Sequence, residues 1–336
     1  MKIGNREFDT DNNTYIMGIM NITPDSFSDG GRFVVSKWEA AEIGQVLRAC
    51  DDMLASGADI IDVGGESTRP GADPVSATEE MERVIPVIEA IARRFDTVIS
   101  VDTYKAEVAR EAVRAGARLV NDIWGLKGDK LMPATMGEIM RACEDAALCI
   151  MHNRRPVTMR RNADAAADSG SAYEGTVPAT MHGEDIDYGY RRSEDADIAS
   201  DEDLFIEDVR ADLAESLKLA ADAGVDMRRV ILDPGVGFAK TAEQNLAVIR
   251  RIGELKKPGA DDLRTDGGEY PILLGCSRKS VIGRVLDRPV DERLAGTLAA
   301  TACAVYNGIS FVRVHDVREN ADVIRMLKAI EGRQCP

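Results

Sequence analysis

Three polar residues of the sequence have the chemistry to recognise a planar, nitrogen-rich ring. Asp102, Asn121 and Asp233 each stand at the end of a short apolar run. A carboxylate can accept two parallel N–H bonds from an aminopyrimidinone edge, and an amide both donates and accepts hydrogen bonds. A lone aspartate at the end of a strand is more often structural, so this interpretation requires the three residues to share one pocket.

Cationic side chains follow other apolar runs of an otherwise acidic chain. Lys279, Arg313 and His315, together with Arg69, supply the fixed positive groups that a phosphate or pyrophosphate requires. Asn21 could complete a Mg²⁺ site, because this ion takes one or two protein oxygens and leaves its other positions to water and phosphate. Salt bridges to the chain's own carboxylates are the alternative use of the same cations.

These polar residues come after short β-rich runs that alternate with amphipathic helical stretches, the pattern of βα units and a parallel sheet. The predicted strands are residues 15–20, 60–63, 98–101, 118–120, 148–151, 230–232, 272–274 and 311–314. The helical candidates include residues 38–55, 77–94, 106–115, 204–223 and 316–330. Glycines are expected to end three of these helices, at positions 57, 116 and 224.

Eight parallel strands, each followed by a helix, favour a (β/α)8 TIM barrel, a single-domain α/β fold, over an open doubly wound sheet. In a barrel, the carboxyl ends of all the strands converge on one mouth, where active sites are built. Because the polar residues fall at those ends, the sequence predicts an enzyme.

Two segments stand apart from the repeat that fills residues 15–332. Residues 1–14 form an N-terminal extension that is expected to cap the bottom of the barrel or to fray. An acidic insertion at about 157–203 follows the fifth predicted strand. Residues 160–208 hold 14 acidic and 4 basic residues, and so account for −10 of the net charge of −16. A solvated loop and a lid or partner-binding segment are both open interpretations of it.

Composition places the chain among globular proteins and restricts its partners. The 336 residues are 44% hydrophobic and 30% charged, enough to build a sizeable core. A net charge of −16 argues against nucleic acid and anionic membrane surfaces as partners. The six cysteines form no C-x-x-C pair and are interpreted as reduced thiols. Without a long apolar run or a signal-peptide pattern, a cytoplasmic location is expected.

Two nucleotide-binding motifs are incomplete in this sequence. Gly235 and Gly237 follow a strand, but Lys240 stands where the dinucleotide fingerprint needs a third glycine. Residues 275–280 resemble the end of a P-loop without the four-residue spacer between its glycines. Neither a dinucleotide nor ATP is therefore supported as a ligand.

Five segments resemble the signatures of the dihydropteroate synthase family. They are residues 17–31 (MGIMNITPDSFSDGG), 62–71 (DVGGESTRPG), 233–238 (DPGVGF), 277–280 (SRKS) and 313–316 (RVHD). The resemblance covers residues 15–330 apart from the acidic insertion. It implies a pterin-binding (β/α)8 barrel, a transferase of folate biosynthesis. This enzyme condenses 6-hydroxymethyl-7,8-dihydropterin pyrophosphate with para-aminobenzoate, with Mg²⁺, and releases 7,8-dihydropteroate and pyrophosphate. It also implies a homodimer and a sulfonamide target.

The resemblance assigns roles to individual positions. The pterin is expected to be held by Asp102, Asn121, Asp233 and Lys279. The pyrophosphate is expected to be held by Asn21, Thr68, Arg313 and His315, with Asn21 also on Mg²⁺. The residues expected around para-aminobenzoate are Phe238, Ser280, Phe27 and Pro70. Asp29 is expected to face the incoming amine, and Arg69 adds a further cation to the mouth.

Other functions of a related barrel are less well supported by the sequence. A non-catalytic pterin-binding paralogue would show losses in the first two loops, and both are complete here. A corrinoid-linked pterin methyltransferase would have no use for Lys279, Arg313 and His315 as pyrophosphate ligands. A barrel aldolase would need a Schiff-base lysine among apolar residues, whereas Lys279 lies between Arg278 and Ser280. The sequence after His152 departs from the family pattern, which leaves the role of the fifth loop open.

Overall fold

The fold is described from a computed structural model over residues 1–22, 38, 40–67, 75–153, 201–259, 263–264 and 266–332. A short antiparallel hairpin of β1 (Lys2–Ile3) and β2 (Arg6–Glu7) opens the chain. Eight parallel strands follow: β3 (Tyr15–Asn21), β4 (Ile60–Gly64), β5 (Val98–Asp102), β6 (Leu119–Asp122), β7 (Ala147–Met151), β8 (Val230–Asp233), β9 (Leu273–Leu274) and β10 (Phe311–Val314).

The parallel strands form a barrel. Their order in the sheet is β8-β7-β6-β5-β4-β3-β10-β9. Strands that follow each other in the chain are therefore adjacent, apart from β8 and β9 at the two edges, and β10 pairs with β3. A parallel bridge between Leu232 of β8 and Ile272 beside β9 joins the two edges, and the Leu232 N–H donates to Pro271 O over 2.9 Å. The (β/α)8 barrel expected from the sequence is confirmed.

Helices lie between the strands, as a right-handed βα repeat requires. In the described part of the chain they are α1 (Ala40–Ala55), α2 (Ala77–Arg94), α3 (Ala106–Ala115), α4 (Met132–Ala142), α5 (Glu202–Asp222), α6 (Ala242–Arg250), α7 (Ser280–Leu286), α8 (Leu294–Tyr306) and α9 (Val317–Ile330). All eight predicted strands and all five predicted helices are found, with ends that differ by two residues or fewer.

Local chemistry explains several helix ends. The Ser76 hydroxyl accepts the Glu79 N–H over 3.2 Å and so caps the start of α2. The glycines at 57, 116 and 224 have φ values of 107°, 129° and 82°, which confirms that they end α1, α3 and α5. At the start of α5, Asp201 accepts the N–H groups of Asp203 and Leu204. Residues 154–200 lie outside the described residues, and they include almost all of the acidic insertion predicted at about 157–203.

The N-terminal hairpin closes the bottom of the barrel, at the amino ends of the strands. Ile3 and Phe8 are fully buried and pack with the lowest inward-facing residues of the barrel strands. The Phe8 ring meets Tyr15 edge to face with centroids 4.8 Å apart, and Phe311 at 5.5 Å. Burying one such ring contributes about 1.5 to 3 kcal/mol. The first 14 residues therefore cap the barrel.

A larger apolar core fills the space between the barrel and its helices. The outward-facing residues of the strands belong to this core. Successive side chains of a strand point to opposite faces, so every second residue faces the helices. The other half of each strand points inward, and those residues determine what the barrel mouth contains. Among the described helices, none combines the length and the apolar character needed to cross a membrane.

Candidate active site

Strand register brings the polar residues of four neighbouring strands to one level of the barrel. Asn21 is paired with Gly64, Gly64 with Asp102, and Asp102 with Asn121. All of these positions have the inward parity of their strands, and each stands at or next to a strand end. Three predicted site residues therefore meet at the carboxyl-terminal mouth.

Arg313 joins two carboxylates in this mouth. Its Nε donates to Asp62 Oδ2 over 2.6 Å, and its Nη2 donates to Asp102 Oδ2 over 2.6 Å. The three side chains are 17%, 0% and 9% exposed, so water does little to weaken the pairs. Arg313 is thus held rigidly at the floor of the mouth.

Asp62 was not singled out by sequence reasoning, although it makes one of these two bonds. It lies within β4, two residues before Gly64, and has the same inward parity. Its other oxygen, Oδ1, is buried with no hydrogen-bond partner among the described residues. A charged residue inside a strand of otherwise apolar inward residues is the signal that could have revealed it.

Burial sets the protonation of this group of charges. Burial raises the pKa of Asp102 to about 7, against the opposing attraction of Arg313. Burial alone would lower the pKa of Arg313, but Asp62 and Asp102 more than compensate and raise it. Arg313 therefore stays charged, while Asp102 can change its protonation near neutral pH.

A second pair of opposite charges lies near Arg313, since a Cβ built on Gly275 would stand within 4.0 Å of Asp233, Lys279 and Arg313. Asp233 ends β8 and accepts the Gly235 N–H through Oδ1 over 2.7 Å. Burial raises the pKa of Asp233, and Lys279 opposes that shift. Burial likewise lowers the pKa of Lys279 to about 8, and Asp233 opposes it. Each charge therefore opposes the shift that burial causes in the pKa of the other.

The Lys279 ammonium is placed by the loop that follows β8. It donates to Val236 O and lies 4.5 Å from the centroid of the Phe238 ring, a cation–π distance. Phe238 itself is buried. One predicted pterin ligand and one predicted neighbour of para-aminobenzoate are thus in direct contact.

His315 is oriented by Ser277. The His315 N–H donates to Ser277 Oγ over 3.2 Å, and the same hydroxyl lies 3.0 Å from His315 Nδ1. A hydroxyl that accepts the backbone N–H can donate its own proton to Nδ1, which leaves the proton of the neutral ring on Nε2. Ser280, the first residue of α7, is exposed beside this loop.

An apolar wall borders the charged residues. It consists of buried side chains that follow or end β5, β6, β7 and β8, namely Tyr104, Ile123, Trp124, Met151 and Phe238. Flat rings stack well on such surfaces. Sequence reasoning named Phe238 alone; the others were missed because their neighbours in the sequence, Asp102 and Asn121, carried the polar signal.

Asn21 is half-buried at the end of β3, in register with Gly64 of β4. A Cβ built on Gly64 would stand 3.7 Å from both Asn21 Oδ1 and Asp102 Oδ2. Within the described ranges, no group of three His, Cys, Asp or Glu side chains is placed to hold a metal ion. A hard amide oxygen close to a carboxylate oxygen fits an ion that completes its shell with phosphate and water.

The root of the second loop is fixed by a buried ion cluster. Lys105 pairs with both Glu66 and Glu80, and Tyr104 donates to Glu66 over 3.3 Å. Each of these side chains is at most 11% exposed. The cluster anchors residue 66, two positions before Thr68. Sequence reasoning gave none of these residues a role.

The structure therefore brings together the described members of the predicted set. They are Asn21, Asp102, Asn121, Asp233, Phe238, Lys279, Ser280, Arg313 and His315. The remaining predicted residues, Phe27, Asp29, Thr68, Arg69 and Pro70, lie outside the described residues.

Comparison with known proteins gives a consistent result. The family of pterin binding enzymes matches residues 17–315. The dihydropteroate synthase of Clostridium beijerinckii is 42% identical over 334 residues, 99% of this chain and 100% of that protein.

Solved structures agree. A Clostridium difficile dihydropteroate synthase crystallised in the presence of pteroic acid matches with a TM-score of 0.73 and 41% identity, over 96% of this chain and 99% of that one. A Yersinia pestis dihydropteroate synthase in complex with a sulfonamide drug matches with a TM-score of 0.72 and 30% identity, over 99% of both chains.

Proposed function

The chain belongs to the pterin-binding enzymes, in the dihydropteroate synthase family, and from this premise we propose how its barrel mouth carries out the family's reaction. It is a transferase of folate biosynthesis that joins 6-hydroxymethyl-7,8-dihydropterin pyrophosphate to para-aminobenzoate. The observation that supports our residue assignment best is the pairing of two buried carboxylates, Asp102 and Asp233, with two cations, Arg313 and Lys279, beside one apolar wall.

The pterin is bound in the deepest part of the mouth. Asp102 and Asp233 accept the N–H groups along the edge of the ring, and the Asn121 amide adds a donor and an acceptor. Asn121 Oδ1 is buried with no hydrogen-bond partner in the described part of the chain, which supports a ligand as its partner. Lys279 completes this set beside Asp233, held by Val236 and Phe238.

The pyrophosphate is bound by Arg313 of β10 and by His315, which directly follows that strand. Arg313 offers a planar guanidinium at the floor of the mouth, and His315 presents the Nε2 proton that its bond to Ser277 leaves there. Thr68 contributes from the second loop. We further propose that Asn21 Oδ1 holds Mg²⁺, which when bound neutralises charge on the pyrophosphate leaving group.

Para-aminobenzoate is bound against Phe238 and Ser280. We propose that Phe27 and Pro70 add to this subsite, that Asp29 faces the amine and that Arg69 adds a cation to the mouth, as the family resemblance implies. These four residues lie outside the described part of the chain. The ring of the arylamine requires the Phe238 face.

The reaction is a substitution at the methylene carbon of the pterin. The carbon–oxygen bond to pyrophosphate breaks, the arylamine nitrogen forms the new carbon–nitrogen bond, and that nitrogen then loses a proton. Positive charge develops on the pterin methylene as pyrophosphate leaves. Asp102 and Asp233 stabilise that cation, while Arg313 and His315 stabilise the departing anion. No covalent enzyme intermediate is required.

A pyrophosphate-release assay tests this proposal. The purified chain, with Mg²⁺ and dihydropterin pyrophosphate, is expected to release pyrophosphate only when para-aminobenzoate is added, and a sulfonamide should inhibit competitively with the arylamine. Binding of the pterin without release would support the non-catalytic paralogue. Transfer of a methyl group to a corrinoid would support the methyltransferase.

Two further proposals concern the context of the enzyme. We propose a homodimer, supported by the exposed apolar side chains Val285, Val290 and Tyr306 of α7, the turn after it and α8. Light scattering on the purified chain would test the dimer.

We also propose a cytoplasmic location, in keeping with the free thiols of all five described cysteines.

A further inference from the structure

Lys240 is a buried lysine that the proposed chemistry does not use. It is 9% exposed and ends the loop of residues 234–240 between β8 and α6, here the β8–α6 loop. Burying an ammonium group is unfavourable unless several acceptors surround it. In the sequence this residue appeared only as the reason why a dinucleotide motif fails.

Acceptors from the loop and from the neighbouring strand surround the Lys240 ammonium. Its Nζ donates to Gly235 O over 3.0 Å and to Phe238 O over 3.2 Å, and lies 2.7 Å from His152 Nδ1. His152 follows β7 and its N–H donates to Asp233 O over 2.8 Å. Lys240 therefore ties the β8–α6 loop to the end of β7 from beneath.

The backbone conformation of this loop is unfavourable and requires contacts that hold it in place. Ala239 has a φ of +46°, a left-handed conformation that is unfavourable for a residue with a Cβ. Gly237 has a φ of +83°, and a Cβ at that position would stand 2.7 Å from Lys279 Cδ. Phe238 lies between these two residues. The loop is thus folded tightly against Lys279, and two of its carbonyls are fixed by one ammonium.

The groups that the loop carries all belong to the active site. Val236 O accepts the Lys279 ammonium, the Gly235 N–H binds Asp233, and the Phe238 ring lies under Lys279. The positive charge of Lys240 also opposes the rise in the pKa of Asp233. A small movement of the loop would displace the ring expected to contact the arylamine.

We propose that Lys240 is a positioning residue for the arylamine subsite: its ammonium fixes the β8–α6 loop and so sets the place of the Phe238 ring against Lys279. This inference rests on the proposed function, because the contact between Phe238 and para-aminobenzoate is part of that proposal. Lys240 itself does not contact substrate.

Steady-state kinetics of Lys240→Met in the full-length chain test the inference. Methionine keeps the apolar stem but removes every donor. The KM for para-aminobenzoate is expected to rise about tenfold while kcat changes by less than about threefold, because binding of one substrate is impaired rather than the reaction itself. Lys240→Gln retains a donor for one carbonyl and is expected to give an intermediate rise; it also serves if Lys240→Met does not fold.

Two control variants separate positioning from a general loss of stability. Thr241→Ala removes the capping box at the start of α6, one residue away, without touching either loop carbonyl. Lys127→Met removes an ion pair to Asp212, which approaches the far side of His152 at 4.0 Å. Both variants are expected to melt at a lower temperature with an unchanged KM for para-aminobenzoate.

The outcomes are distinct. A wild-type KM in both Lys240 variants, or an equal rise in the two controls, would overturn the positioning role and leave the proposed function intact. A wild-type chain that releases no pyrophosphate with para-aminobenzoate would overturn both. A rise in KM confined to the Lys240 variants, with activity in the wild type, supports the inference.

Discussion

The two ends of the barrel interior are built from the same strands but have opposite chemistry. On β10, Phe311 packs against the rings of Phe8 and Tyr15, whereas Arg313, two residues further along, binds Asp62 and Asp102. Both residues face inward. Two residues along the strand, a distance of about 7 Å, therefore separate an apolar layer from a site of buried charges.

This difference separates stability from function within one core. The bottom buries aromatic rings and stabilises the fold through apolar area and close packing. The mouth buries charges, and burial raises the pKa of both Asp102 and Asp233, which means that holding them ionised opposes folding. We therefore expect substitutions in the mouth to lower mainly activity and substitutions at the bottom to lower mainly stability.

Removal of Arg313 should produce the largest loss of activity. In Arg313→Ala, the pyrophosphate loses its principal cation while Asp62 and Asp102 remain buried without a partner, so kcat/KM should fall by about 1,000-fold or more. The rate of pyrophosphate release measures this change in kcat/KM. Lys218→Ala, which removes a cation that is 72% exposed, is the control and should keep full activity. An unchanged kcat/KM in Arg313→Ala would contradict the assigned role.

The opposite result is expected at the bottom of the barrel. Phe8→Ala should lower the free energy of unfolding by about 3 to 5 kcal/mol, since it leaves a cavity against Tyr15 and Phe311. Urea denaturation measures the loss. At temperatures where the variant stays folded, its kcat/KM should match that of the wild type. A large fall in kcat/KM of the folded variant would show that the two ends are coupled.

Asp233 should have a smaller and more selective effect. Asp233→Ala removes the acceptor of the pterin edge, and leaving a buried donor unpaired weakens binding by about 1 to 3 kcal/mol. Calorimetric titration with the pterin substrate measures this change. Binding as tight as that of the wild type would refute the pterin contact of Asp233.

Asp102 should also make the stability of the fold depend on pH. Its pKa is raised to about 7 in the folded state, so the unfolded state binds fewer protons between pH 4 and 7. The stabilisation is therefore present at low pH and is lost as pH rises through 7, by about 1 kcal/mol per pH unit at most. Asp102→Asn should lack this component. Parallel stability curves for both proteins between pH 5 and 7 would contradict it.

The sequence predicts the barrel well because its strands are short β-rich runs separated by helices of regular period. Strand ends fix the mouth, so residues such as Asp102 and Asp233 could be found from their position alone. Asp62 could not be found in that way, because it lies inside its strand and not at the strand end. The parity of that strand, counted back from Gly64, carries the missing information.

Long-range contacts limited the prediction in two further places. The cap formed by residues 1–14 depends on Phe8 meeting Phe311, which is 303 positions away in the chain. The proposed role of Lys240 depends in part on its contact with His152, which follows β7 and lies 88 positions away in the chain. Neither contact leaves a local pattern in the sequence. The acidic insertion stays a prediction, since residues 154–200 lie outside the part of the chain that the structure describes.

The stoichiometry of the reaction tests the central claim most directly. Pyrophosphate released and para-aminobenzoate consumed should be measured in the same sample of wild-type enzyme with Mg²⁺ and the pterin substrate. Condensation at the charged mouth predicts equal amounts of the two and no release without the arylamine. Release of pyrophosphate that leaves para-aminobenzoate unconsumed would mean hydrolysis, and would contradict the account.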